Sequence, residues 1–115
     1  MRETSIDALL ILPAPEFARD AAVLANAATD AGLPTVCEWN FMAREGCLIG
    51  YGPSYAELLE RTGALVANIL RGIPAGEIPI ERPVKFELAL NLRTAQALGI
   101  SLQPTLLARA DEVIE

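Results

Sequence analysis

The stretch Asp7-Ala8-Leu9-Leu10-Ile11-Leu12-Pro13-Ala14-Pro15 decides how the rest of the chain reads. The run from Asp7 to Leu12 is apolar without polar alternation, which predicts a parallel strand buried on both faces rather than an edge strand. Pro13 and Pro15 close it, since neither has an N–H to donate to a ladder. Beyond them the period changes. Phe17, Ala21, Leu24, Ala25 and Ala28 recur at three- and four-residue steps, predicting a helix from Glu16 to Ala31. Pro15 is tolerated in its first turn, Gly32 supplies the left-handed stop, and Pro34 prevents continuation. A strand running directly into a helix is the repeating unit of an α/β fold.

The same alternation continues outward. Leu33 to Trp39 reads as a second short strand, Phe41 to Glu45 as a turn or one helical turn ending at Gly46, and Cys47 to Tyr51 as a third strand. The strongest local signature follows: Pro53, then Ser54-Tyr55-Ala56-Glu57 as a capping box. That helix is expected to reach about Arg71 and stop at Gly72, with Leu58, Leu65, Val66 and Ile69 on its buried face. Ile73 to Pro83 holds three prolines and a glycine, so it reads as an extended crossover. Val84 to Leu90 reads as a half-buried strand, with its parity slipping near Val84. Asn91 caps a short helix ending at Gly99, and a last helix from Pro104 carries Leu106, Leu107, Ala110, Val113 and Ile114. The expected architecture is one α/β domain with a mostly parallel Rossmann-like sheet flanked by helices. Strand-helix units fill about 6–72, the crossover 73–83, and a C-terminal strand with two short helices 84–115.

Composition narrows the function classes. The chain has 115 residues, 52% of them hydrophobic, so it either packs very tightly or lacks a partner surface. Its longest apolar run is far short of the ~20 residues that cross a bilayer. The first seven residues lack the pattern of a secretory signal, which would make a genuine standalone product cytoplasmic. Net charge is −6 and the nine Lys and Arg are scattered, which argues against nucleic acid as a partner. Cys37 and Cys47, with nine residues between them and no third sulfur, form no zinc motif. They read most simply as two unpaired core thiols; a disulfide between them stays open. The chain has no histidine, no serine or cysteine has an evident activating partner, and the glycines at 46, 50 and 52 make no nucleotide loop. No enzyme, cofactor or metal is expected.

Four blocks carry a family resemblance: Tyr51-Gly52-Pro53-Ser54-Tyr55-Ala56-Glu57-Leu58; Ile69 to Gly72 running into Ile78-Pro79-Ile80-Glu81; Lys85 to Gly99; and Gln103 to Ile114. Together they are similar to the C-terminal part of the substrate-binding proteins of ABC transporters, in the group that includes binders of tryptophan and other aromatic amino acids. The resemblance implies a partial type I periplasmic-binding fold, in which two lobes close over a small solute and present it to a permease. It also implies a bacterial, periplasmic setting. The stretch covers about the last third of such a protein, so it is expected to provide one wall of a cleft. Sheet edges and apolar surface left open by that partial cleft favour a homodimer.

In parallel sheets, ligands bind beyond the carboxyl ends of strands, which points to the loops at Pro13 to Pro15, Glu38 to Asn40 and Tyr51 to Ser54. The resemblance implies small polar residues in the first loop. Here Pro13 and Ala14 stand there, which removes side-chain hydrogen bonds and leaves the ligand class open. Glu38 and Trp39 read either as a cation partner and stacking face or, more plainly, as a solvated carboxylate beside a core Trp. Tyr51, Gly52, Pro53 and Ser54 bring an aromatic ring and a helix N-terminus together for an anionic group, or form a simple turn with Ser54 as cap. Tyr55 is expected to pack against its helix. The reading is therefore non-catalytic recognition of a small organic solute, with a standalone α/β dimerisation or interaction module as the alternative.

Overall fold

The computed structural model describes residues 5–115. Five strands form one sheet in the order of the sequence: β1 (Leu9–Ile11), β2 (Thr35–Cys37), β3 (Ile49–Pro53), β4 (Phe86–Asn91) and β5 (Glu112–Ile114). The pairs β1–β2, β2–β3 and β4–β5 are parallel, and only β3–β4 is antiparallel. Helices α1 (Pro15–Arg19), α2 (Ala21–Asp30), α3 (Asn40–Arg44), α4 (Tyr55–Leu70), α5 (Leu92–Ala97) and α6 (Pro104–Leu107) connect them. The fold is α/β with a mostly parallel sheet.

The first strand is the clearest departure from expectation. It is an edge strand, with Leu10 64% and Leu12 62% exposed while Ile11 is buried. Only the face carrying Ile11 and Cys37 is covered. There Ala21 and Ala25 of α2, Met42 of α3, and Cys37 with Cys47 form the core, with Leu9, Leu24, Trp39 and Phe41 packed around it. Alanines on α2 let the helix lie close to the sheet. An unbroken apolar run therefore marked a strand, but not two covered faces.

The helix expected over 16–31 is two. Asp20 leaves helical geometry at φ −99°, ψ 18°, and its N–H closes the last turn on Glu16 before α2 starts. Gly32, at φ 73°, ends α2 as anticipated. The last helix is shorter than expected and stops at Leu107. Val113 and Ile114 belong instead to β5, paired with Leu90 and Asn91. The tertiary reason is an open edge: without β5, the backbone of β4 would have no partner on that side.

Cys37 and Cys47 are joined in a disulfide with both side chains buried, so the unpaired-thiol reading is corrected. The turn before β3 folds back over the end of β2, bringing the two Cα atoms to 6.5 Å. The same turn is held by buried polar groups. Thr35 Oγ1 accepts from Leu48 N at 2.9 Å, Asn91 Nδ2 donates to Ala43 O at 2.7 Å, and Thr94 Oγ1 donates to Gly46 O at 2.8 Å.

Helix α4 has no buried residue, against the expectation of a buried face on Leu58, Leu65, Val66 and Ile69. Leu58 and Leu65 are half-buried beside the 81–85 segment, whereas Val66 and Ile69 are 50% and 46% exposed. The molecule is accordingly elongated, with a radius of gyration of 17.6 Å. A compact chain of this length would have roughly 13 Å. This helix packs poorly in its own chain and still forms, because Ser54 caps it and most of its 16 residues are good helix formers.

Candidate functional site

The carboxyl ends of β1, β2 and β3 lie side by side, because these three strands are parallel neighbours. Pro13 and Ala14 follow β1, with Ala14 extended ahead of α1 and its carbonyl accepting from Ala18 N at 3.0 Å. Glu38 and Trp39 follow β2, with Trp39 extended at the start of α3. Pleating puts alternate residues of β3 on opposite faces. Gly50 and Gly52 face the Glu38–Asn40 backbone so closely that a Cβ on Gly52 would lie 2.0 Å from the Glu38 carbonyl oxygen. Tyr51, between them, points to the other face.

The predicted residues thus separate into two groups. Glu38, Trp39, Gly52 and the start of α4 come together. The Trp39 ring meets Tyr55 edge-on at 5.2 Å, and Phe41 meets Tyr55 at 5.5 Å. Tyr55 packs against these rings of the β2–α3 junction rather than on its own helix. Tyr51 stands apart, its ring 5.9 Å from Phe86, near Val36, Ile49 and Leu88 on the open sheet face. Tyr51 and Pro53 lie within β3 itself, so this stretch is a strand rather than a turn.

Ser54 is buried, and its hydroxyl accepts from Glu57 N while its own N–H donates to Lys85 O at 2.9 Å. The helix start is therefore capped from within. Asn91 caps α5 in the same way, its Oδ1 accepting from Thr94 N at 3.0 Å.

Glu38 is the electrostatic feature of the cluster. Its Oε2 is buried and has no hydrogen-bond partner. A carboxylate oxygen removed from water without a donor is costly, so the position favours a cation or N–H group brought from outside. Nearby, Asn40 Nδ2 donates to Glu87 Oε2 at 2.6 Å, and Lys85 Nζ lies 3.3 Å from Glu87 Oε1. Phe41 and Glu87 were not anticipated from the sequence. The alternation Trp39-x-Phe41 in a chain with few aromatics was the available signal for the first.

Comparison with known proteins bears on the fold. Two solved structures overlay most of the chain with high scores. One is a conserved domain protein from Vibrio cholerae O1 biovar El Tor, with TM-score 0.86 and 25% identity over 93% of this chain and 36% of that one. The other is an ABC domain in complex with L-Trp from Streptococcus pneumoniae, with TM-score 0.83 and 21% identity over 95% and 38%. A ligand-free, open substrate-binding protein with adhesive properties from Clostridium difficile matches at TM-score 0.60 and 20% identity, over 93% and 36%. The chain spans little more than a third of the length of these structures. No curated protein matches it. The family described as ABC transporter substrate binding protein matches residues 2–114. With its mostly parallel sheet and its strand ends gathered at one edge, the chain belongs to the ABC transporter substrate-binding protein family.

Proposed function

We propose that the chain forms one wall of a solute-binding cleft and recognises, without catalysis, a small organic solute carrying an ammonium or similar N–H group beside an aromatic or apolar portion. The observation that carries this reading is the unpartnered Glu38 Oε2 on the residue before Trp39, whose ring meets Tyr55 as that of Phe41 does. A cation there gains a carboxylate partner, and the rings offer edges and faces for an apolar group. The L-Trp held by the Streptococcus pneumoniae domain has both features, which supports the same solute class here. Pro13 and Ala14 contribute shape and no side-chain hydrogen bond, so the carboxylate of an amino acid would be held by other groups.

In this reading the solute passes to an ABC permease in the periplasm. The Cys37–Cys47 disulfide supports an oxidising compartment, since such bonds persist there and are rare in reducing cytosol. The second reading, an α/β module that self-associates as a homodimer, is favoured by α4, none of whose residues is buried. The two readings are compatible in one chain.

Isothermal titration with an aromatic amino acid, its decarboxylated amine and its deaminated acid tests the solute reading. Binding of the first two and not the third is the expected pattern. Glu38→Gln should weaken it at least tenfold, about 1.4 kcal/mol. Binding of the deaminated acid alone, or of none of the three, would sink the assignment of Glu38.

A further inference from the structure

The Cys37–Cys47 bond closes a ring around the candidate site. Cys37 is the last residue of β2, and Glu38 and Trp39 follow it directly; α3 comes next, and Cys47 stands just ahead of β3. The residues between the two sulfurs therefore include Glu38, Trp39, Asn40 and Phe41. Cys37 and Cys47 are the two cysteines of the chain, and neither has any exposed surface. A thiol in solution cannot reach such a bond without opening the fold, so it acts as a fixed clamp and not as a switch.

The two halves of the ring are held differently. The second half is anchored by long-range hydrogen bonds: Asn91 Nδ2 donates to Ala43 O at 2.7 Å, Thr94 Oγ1 to Gly46 O at 2.8 Å, and Arg44 Nε to Glu112 Oε1 at 2.7 Å. The first half has less. Ladder pairing between β2 and β3 ends at Cys37 and Gly50. Gly50 and Gly52 lie tight against the backbone of Trp39 and Glu38, but a steric contact limits approach and does nothing against departure. Asn40 Nδ2, bonded to Glu87 Oε2 at 2.6 Å, is a tether further along the turn.

Glu38 gives this turn a reason to leave. Its buried Oε2 has no donor and would recover hydration by swinging outward. We infer that the Cys37–Cys47 bond is a positioning element of the solute site, tethering the Glu38–Trp39 turn against β3 so that the carboxylate stays buried and ready for a cation. This rests on the solute reading. Preorganisation of this kind sets the apparent affinity, because a site competent for about a tenth of the time binds roughly tenfold more weakly. Trp39 offers a readout of its own, being the one tryptophan of the chain, with its ring 5.2 Å from that of Tyr55. Its exposure to a quencher reports the turn without any ligand.

Disulfide-free forms of the 115-residue chain test this: the chain refolded under reductant, Cys37→Ala/Cys47→Ala, and Cys37→Ala/Cys47→Val, which refills the space of the sulfurs. Each is used where far-ultraviolet circular dichroism matches the parent. Acrylamide should quench Trp39 roughly twofold more steeply than in the parent, as expected of a turn that opens locally. Isothermal titration with tryptamine should show roughly tenfold weaker binding. In a Glu38→Gln background, removing the bond should cost less than about a further twofold, since the group it positions has gone. Parent-like quenching and affinity in a folded, disulfide-free chain overturn the inference. An equal tenfold loss in the Glu38→Gln background overturns the positioning of Glu38, because the damage is then general. Failure of every disulfide-free form to fold overturns it too, since the bond then serves the whole fold and not the turn. If the parent itself binds no tryptamine, the solute reading fails, and Trp39 quenching alone decides whether the bond clamps the turn.

Discussion

Gly52 and Glu38 approach each other so closely that no side chain fits between them: a Cβ on Gly52 would stand 2.0 Å from the Glu38 carbonyl oxygen and 2.8 Å from its Cγ. This contact fixes the end of β2 against β3 and sets where the Glu38 carboxylate points. Gly52→Ala must push the β2–α3 junction aside, since the obstruction is backbone and not a flexible side-chain tip. The expected loss is about 3 kcal/mol, the upper range for overpacking, read by urea denaturation. A variant as stable as the parent would show that the junction yields freely.

Reducing the Cys37–Cys47 bond releases a loop of sequence separation 10. Chain entropy alone puts its stabilisation at about 3 kcal/mol. Urea midpoints with and without reductant, together with a Cys37→Ala/Cys47→Ala variant, should agree on a loss of that size. Thiol titration of the untreated protein should find no free sulfhydryl before unfolding with reductant.

Asn91 has two duties. Its Oδ1 caps α5 and its Nδ2 donates to the Ala43 carbonyl at 2.7 Å, with the whole residue buried. Asn91→Ala removes a cap worth about 1 kcal/mol and strands a buried carbonyl, for a combined loss of roughly 2–4 kcal/mol. Asn91→Asp keeps the cap but sets a buried carboxylate oxygen against the Ala43 carbonyl, and should lose at least as much as Asn91→Ala in equilibrium unfolding at neutral pH.

The Arg61–Glu81 pair joins α4 to the extended segment beside it. The Glu81 carboxyl is held below its usual range, first by the hydrogen bond from Arg61, with partial desolvation opposing and the charge of Arg61 assisting. A carboxyl whose folded pKa is depressed adds stability above its unfolded value of 4.5, and that contribution disappears as pH falls through the folded pKa. The pair is exposed, so the effect is small and salt-sensitive. Between pH 6 and 3, Glu81→Gln should flatten the acid limb of the stability curve slightly, an effect that vanishes in 0.5 M NaCl.

Much of the architecture was legible in the chain because its signals are local. Ser54 and Asn91 announce helix starts through side chains that reach only three residues ahead, and both side chains cap, although the Ser54 N–H is taken by Lys85 O and not by Glu57, so the reciprocal half of the capping box is missing. Gly32 ends α2 at a positive φ that only glycine adopts without strain. In the candidate site, Glu38 and Trp39 could be named as the residues after a strand. Their meeting with Tyr55 and Phe41, and the placing of Tyr51 on the opposite face, could not. Those follow from how β3 pairs with β2 on one side and β4 on the other, which sets the sheet face that Tyr51 takes.

The sequence by itself determined the starts of α4 and α5, the stop of α2, the alternation of strands with helices and the family likeness, since each depends on residues a few positions apart. Only the tertiary structure decided that Val113 and Ile114 form a strand, that Cys37 and Cys47 bond, and that Leu10, Val66 and Ile69 are exposed. A strand forms where another strand offers a free edge, a disulfide where two Cα atoms are brought to 6.5 Å, and an apolar residue is buried where something lies over it. Each condition concerns a neighbour distant in sequence, and no local pattern encodes it.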